Sequence, residues 1–220
     1  MAVSPRPPET RAVAAFARFY PILDVDVVAS RRLDPLTVLD AWLDAGVRLF
    51  QLRAKQMDSG AFLDLADLCA RAARLAGAVF IVNDRVDVAR LSGAAGVHLG
   101  QDDLRPDGAR VLLPAPALVG WSTHNDAQVR EALTLPIDYL AIGPVFDTSS
   151  KLRPDPVVGL DGVRRAAALA GGRPVVAIGG ITIETAAAVL AAGASSIALI
   201  GDVTHADAGA RARAFLAAVS

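Results

Sequence analysis

A polar triplet at alternate positions, Gln51, Arg53 and Lys55, closes the short apolar run Val47 to Leu52. Side chains alternate across a strand, so these three share one side while Phe50 and Leu52 share the other. The apolar pair then packs against helices, and the polar three face the mouth of whatever the strands enclose. Arg53 and Lys55 also suit a solvated loop, but solvation does not account for a glutamine inside an apolar run. Two further strand ends carry carboxylates: Asn83 and Asp84 after one, and Asp102 and Asp103 after the next, which contains His98. Adjacent strands lie about 4.8 Å apart, so carboxylates just beyond their ends can share one hard cation. Mg²⁺ favours such a pair, completed by substrate phosphate oxygens. Asp84 reads equally as a helix N-cap with Asp87 three residues on, and Asp103 as part of a polar turn.

Ser122 ends another strand, where a hydroxyl either hydrogen-bonds a heterocycle or caps the following helix. His98 and His124 stand at strand ends as well. With His205 far off in the last loop, a histidine zinc site is disfavoured, and no Ser-His-Asp order is evident. The segment Gly143 to Lys151, GPVFDTSSK, offers hydroxyls and a lysine, a set that suits phosphate oxygens or a flexible polar lid. In the stretch Arg173 to Ala192, the run Val175, Val176 and Ile178 stops at Gly179 and Gly180. Thr182 then opens an alanine-rich helix with Glu184 in its first turn. Glycines let backbone N–H groups approach a ligand, and a helix N-terminus carries partial positive charge, so this turn is a seat for phosphate.

These residues need a scaffold that gathers strand ends. Strands are expected at Phe19–Leu23, Val47–Leu52, Val79–Val82, Gly96–Leu99, Leu118–Trp121, Tyr139–Ile142, Val175–Ile178 and Ser196–Ile200. Helices fit between them at about Pro35–Ala45, Asp58–Ala76, Asp84–Leu91, Pro106–Leu112, Asp126–Leu133, Leu160–Leu169 and Ile183–Ala191. Ala206–Val219 forms a last helix, and Ala12–Arg18 a short first one. The strands are short and apolar, as in a parallel sheet covered on both faces. Repeats of about 25 residues and the glycine turn after the seventh strand favour a single (β/α)8 barrel over an open doubly wound sheet. No Gly-x-Gly-x-x-Gly follows the first strand, which argues against a dinucleotide fold. Residues 1–18 read as a tail and 19–220 as the barrel domain.

Composition narrows the partners. With 22 basic and 23 acidic residues, net charge is −1, and no general attraction to nucleic acid or membrane is expected. No apolar run approaches a membrane span, and the proline-containing N-terminal tail lacks the apolar core of a signal peptide. A cytoplasmic protein acting on small phosphorylated molecules is expected; homo-oligomerisation is left open. The single Cys69 excludes an intramolecular disulfide and falls at core spacing with Phe62, Leu65 and Ala76.

Six of these stretches together resemble thiamine phosphate synthase: QLRAK (Gln51 to Lys55), Asn83-Asp84, GVHLGQDD (Gly96 to Asp103), STH (Ser122 to His124), the GPVFDTSSK loop and AIGGI (Ala177 to Ile181). Singly each is weak; their order and spacing make the resemblance specific. It implies a transferase joining an aminopyrimidine methyl diphosphate to a thiazole phosphate, giving thiamine phosphate and pyrophosphate, with Mg²⁺ required. By that resemblance Gln51, Arg53, Lys55, Asn83, Ser122 and Lys151 bind the pyrimidine diphosphate, with Arg53, Lys55, Ser122 and Lys151 assisting the chemistry. Asp84 and Asp103 hold Mg²⁺, and Thr148, Ser149, Ser150, Gly180, Ile200 and Gly201 hold the thiazole phosphate. The family usually carries Glu at Ala54, Thr at Ser150 and Ser at Gly201. The last departure leaves one phosphate contact to backbone alone. Cations at Arg53, Lys55 and Lys151, with Mg²⁺ set against two aspartates, would balance the charge of a departing pyrophosphate. The alternative is a related thiazole tautomerase, metal-independent, with His124 as acid–base.

Overall fold

A computed structural model describes residues 16–148 and 155–220. Its strands are β1 (Phe19–Asp24), β2 (Leu49–Arg53), β3 (Val79–Asn83), β4 (Gly96–Leu99), β5 (Leu118–Thr123), β6 (Tyr139–Ile142), β7 (Val175–Ile178) and β8 (Ser196–Leu199). All pair in parallel and in chain order, and β8 returns to β1, so the sheet closes on itself. The single (β/α)8 barrel expected from the repeat is the fold found. Around it run α1 (Val25–Ser30), α2 (Pro35–Ala45), α3 (Ser59–Ala76), α4 (Val86–Ser92), α5 (Pro106–Leu112), α6 (Asp126–Ala132), α7 (Gly159–Ala170), α8 (Ile183–Ala191) and α9 (Ala208–Ala218). A 3₁₀ turn, Gly201–Val203, precedes α9.

Alternation along the strands creates two cores. Phe50 and Leu52 point outward and are buried with Phe80, Val82, Trp121 and the helices' apolar faces. Tyr20, Ile22, Leu49, Ile81, Tyr139 and Val176 fill the barrel interior. Phe50 and Phe80 stack at 5.1 Å between centroids beneath α3, so truncating either to Ala would cost about 3–5 kcal/mol. Cys69 is wholly buried in this outer layer, and burial pushes its thiol up to about 12, which makes it packing rather than a nucleophile.

Local signals fix the helix ends. Asp34 accepts from Thr37 N at 2.8 Å, Pro35 takes the first helical position, and Gly46 ends α2 in the left-handed region. Most element ends fall within one or two residues of expectation, and two differences have a local cause. The helix α1 had no counterpart: β-branched residues dominate Val25 to Val28, but Asp24 caps it by accepting from Val27 N at 3.1 Å. Helix α4 begins at Val86 rather than Asp84, whose φ of 62° puts it in the left-handed region, so Asp84 is not that helix's N-cap. The proposed helix Ala12–Arg18 falls mainly outside the described residues; its described part, Phe16 to Arg18, is not helical.

Candidate active site

The C-terminal ends of the strands open onto a cavity of about 400 Å³. From β2 and β3 come Gln51, Arg53 and Asn83; from β5, Ser122. From the far side come Thr148, Gly180, Ile200 and Gly201. Gln51 and Gly201, 150 positions apart, therefore line one space. Lys55, Asp84 and Asp103 stand on the rim beside it, just past Arg53, Asn83 and the end of β4. Ser149, Ser150 and Lys151 lie outside the described residues.

The β2 triplet behaves as alternation requires. Gln51 is buried in the interior, its Nε2 donating to Tyr20 Oη at 2.9 Å. Arg53 turns into the mouth, where it pairs with Asp24. Their Cα atoms are register neighbours on β1 and β2. Asp24's side chain is only 3% exposed, so this is not a screened surface pair. Removing Arg53 alone would strand a buried carboxylate, at about 3–5 kcal/mol. Ala54 joins the outer core, so its departure from the family's usual Glu leaves the mouth untouched.

Lys55 Nζ lies 2.5 Å from Asp84 Oδ2. The left-handed backbone of Asp84, anchored by its N–H to His98 O at 2.8 Å, turns that carboxylate toward β4. There it faces Asp103, near enough that each carboxyl acts electrostatically on the other. Asp103 also accepts from Gly100 N at 2.7 Å. Burial, then the contact with Asp84, raises the Asp103 carboxyl above its ordinary range; Gly100 N–H and Lys55 oppose that shift. Asp84 and Asp103 are thus neighbours on the rim, with Lys55 beside them. Asp102, on the adjoining turn, is not part of this contact.

The far side is built from backbone. Val145 N donates to Ile178 O at 2.9 Å and Phe146 N to Gly179 O at 3.0 Å, so the start of the β6–α7 loop is laid along the end of β7. Gly180 has φ 63°, and a Cβ there would lie 2.4 Å from Asp147 O. No side chain fits. Thr182 N donates to Thr185 Oγ1 at 2.9 Å in a capping box at the start of α8. Arg31 reaches across from beyond α1 to donate to Gly201 O at 2.7 Å, which fixes the loop after β8.

Ser122 does not cap α6; Asn125 does, accepting from Gln128 N at 3.0 Å. Ser122 Oγ instead meets His98 Nε2 at 2.9 Å. His124 Nδ1 is held 2.6 Å from Gly143 O and 3.4 Å from Asp155. The residues that went unnoticed in the sequence are Asp24, Tyr20 and Tyr139. The alternation applied to β2 would have found the first two, because Tyr20, Ile22 and Asp24 share a face of β1. Asp24 also lowers the positive charge of the mouth by one relative to the sequence-based expectation.

A closed parallel barrel with cations, neighbouring carboxyls and a glycine-lined backbone around one mouth has the layout of a (β/α)8 enzyme. The family model described as thiamine monophosphate synthase matches residues 19–203. A thiamine-phosphate synthase of Koribacter versatilis is 45% identical over 188 residues, covering 84% of this chain and 88% of that protein. One from Acidothermus cellulolyticus is 40% identical over 209 residues, covering 94% and 97%. The solved thiamine phosphate pyrophosphorylase from Pyrococcus furiosus superposes with a TM-score of 0.82 at 30% identity, covering 92% of this chain and 95% of that one. The chain belongs to the thiamine monophosphate synthase family; it is an enzyme, a transferase of thiamine biosynthesis. No helix among the described residues is long and apolar enough to cross a membrane.

Proposed function

We propose that this cavity joins the aminopyrimidine methyl diphosphate to the thiazole phosphate by dissociative loss of pyrophosphate, with Mg²⁺ held between Asp84 and Asp103. The observation that carries the metal assignment is the contact of those two carboxyls beside Lys55. A carboxyl raised first by burial and then by a neighbouring carboxyl is one that a divalent cation relieves, and hard oxygen donors suit Mg²⁺. Among the described residues no third His, Cys, Asp or Glu completes a cage, which leaves positions for diphosphate oxygens. When bound, Mg²⁺ would offset charge building on the leaving group.

The chain's own residues do the rest. Arg53, oriented by Asp24, and Lys55 bind and stabilise the diphosphate as the C–O bond lengthens; Lys151 belongs to this group by resemblance. Gln51, Asn83 and Ser122 orient the pyrimidine ring, whose amino group stabilises the benzylic-like cation. The thiazole nitrogen captures that cation while Gly180, Ile200 and Gly201, with Thr148 to Ser150, hold its phosphate. No protein nucleophile is needed; the rate comes from placing the two substrates in line and from fixed charge around the departing anion. We place the reaction in the cytoplasm.

Supplying both substrates and measuring pyrophosphate release with and without Mg²⁺ tests this. Release that needs both substrates and the metal is expected; release indifferent to Mg²⁺ contradicts the metal assignment. The tautomerase reading would assign His124 the acid–base role, but its Nδ1 is engaged by Gly143 O, and nothing in that reaction uses paired carboxyls.

A further inference from the structure

Beneath the cavity a line of polar side chains crosses the barrel interior. Gln51 Nε2 lies 2.9 Å from Tyr20 Oη, which lies 3.2 Å from Tyr139 Oη. Tyr139 Oη lies 3.1 Å from His98 Nδ1, and His98 Nε2 lies 2.9 Å from Ser122 Oγ. We propose that this line is one directional hydrogen-bond chain that holds His98 as its Nε2–H tautomer and so presents Ser122 to the heterocycle as a hydroxyl donor. The ligand named here rests on the proposed function above; the chain's direction does not.

The direction follows from counting hydrogens. Tyr20 Oη accepts from Gln51 Nε2, so its own hydrogen goes on to Tyr139. Tyr139 accepts it and passes its hydrogen to His98 Nδ1. That nitrogen is then the imidazole's acceptor, and its proton resides on Nε2, aimed at Ser122 Oγ. Ser122 accepts there, which leaves its hydroxyl hydrogen for the cavity. Burial pushes both phenols well above their ordinary range, so each keeps the single hydrogen this requires.

At the opposite end, no donor among the described residues meets Gln51 Oε1, and Gln51 lines the cavity. The wall therefore offers an acceptor at Gln51 and a donor at Ser122. An aminopyrimidine carries the complements of both, an exocyclic N–H to give and a ring nitrogen to receive. Were the Gln51 amide turned over, every link would reverse, His98 would carry its proton on Nδ1, and Ser122 would have only lone pairs for the ligand. The tautomer of His98 thus reports the sense of the whole chain.

The junction is built into the sequence. A Cβ on Gly120, in the middle of β5, would lie 2.1 Å from Tyr139 Cζ and 2.5 Å from His98 Nδ1. Only glycine there lets the phenol and the imidazole meet. His98, Tyr139, Tyr20 and Gly120 are positioning residues, acting through Ser122 and Gln51.

The test is nitrogen-15 NMR on the full chain labelled at histidine. The sequence has three histidines, so loss of a signal in His98→Gln assigns it. A proton on Nε2 in the wild type is expected, and a proton on Nδ1 overturns the proposal. Tyr139→Phe should mix the two tautomers; an undisturbed Nε2–H would show that the chain does not set it. In steady-state kinetics His98→Gln, whose amide can donate toward Ser122, should keep the KM for pyrimidine diphosphate within about threefold. The shorter His98→Asn should raise it about tenfold, the size of one lost hydrogen bond. Equal effects of the two would overturn the positioning role. The spectrum needs no turnover: absent pyrophosphate release would sink the proposed reaction alone, and an Nδ1–H would sink the chain alone.

Discussion

Under the proposed function, the two sides of the mouth handle anions by different means. From β2 to β4 the work falls to charged side chains: Arg53 pairs with Asp24, and Lys55 with Asp84 against Asp103. From β6 to β8 it falls to main chain, with Gly180 pressed against the β6–α7 loop, a capped helix start at Thr182, and Gly201 tied down by Arg31. Charge on long side chains can be matched to a leaving group and a metal, but it depends on pH and on partners. Backbone amides carry no titratable group and cost no side-chain entropy, yet they fail if one Cβ intrudes. A leaving group that gains charge during the reaction suits the first side, and a phosphate that is merely held suits the second.

That contrast sets the order of expected effects. Asp84→Ala should remove Mg²⁺-dependent turnover, lowering kcat by about 10³-fold, in the range for losing a preorganised charge partner. The circular dichroism spectrum should be unchanged, and activity near wild type would deny Asp84 a metal role. Gly180→Ala attacks the other side. Its Cβ, 2.4 Å from Asp147 O, must push the loop away, and a displacement of about 1 Å costs about 10²-fold. The loss should appear with the thiazole phosphate as the varied substrate and leave Mg²⁺ affinity alone. If Mg²⁺ affinity fell equally, the two sides would not be separable.

Gly201→Ser should act in the opposite sense. Among the described residues a Cβ at Gly201 meets only Arg31 Nη2, at 3.6 Å, so serine fits there and its hydroxyl would add a phosphate contact. The KM for thiazole phosphate should fall about fivefold, less than a full hydrogen bond's worth.

The smallest effect is on stability. Because the folded state raises the Asp103 carboxyl, Asp103 contributes stability that is present below the ordinary carboxylate range and lost as pH rises through the raised value. At pH 7 without metal the charged form is therefore a liability. Asp103→Asn should raise the metal-free melting temperature by about 1–2 °C, kept small by solvent screening. It should also abolish the gain that Mg²⁺ gives the wild type. A lower metal-free melting temperature would contradict the sign.

How much of this was legible in the sequence follows from which interactions are periodic. The barrel was legible because its strands are short apolar runs at even spacing, and β4, β6 and β7 have the bounds the sequence predicts. Gln51 and Arg53 were legible from alternation, and the turn at Gly179 and Gly180 from glycine chemistry. Lys55, Asp84 and Asp103 were legible as neighbours in a ring. Alternation on β1 puts Asp24 on the interior face, but its pairing with Arg53 was not legible, because register sets it and no local pattern on β1 reveals register. Nor was Gly120: a glycine inside a strand signals close approach, but Tyr139 and His98 come from strands on either side of it. Asp84 misled for a related reason. Its residue type fits a helix cap, whereas its left-handed backbone serves the contact with Asp103.

The central claim is that one ion joins Asp84 and Asp103 to the departing diphosphate while the second phosphate rests on backbone across the mouth. Crystals soaked with the pyrimidine diphosphate and Mn²⁺ in place of Mg²⁺ test it, since anomalous scattering locates the metal directly. The expected peak is bound by both carboxylates and by diphosphate oxygens, with Arg53 and Lys55 on the same diphosphate. A metal bound away from Asp84 and Asp103, or a diphosphate lying against Gly180 instead, would contradict the account.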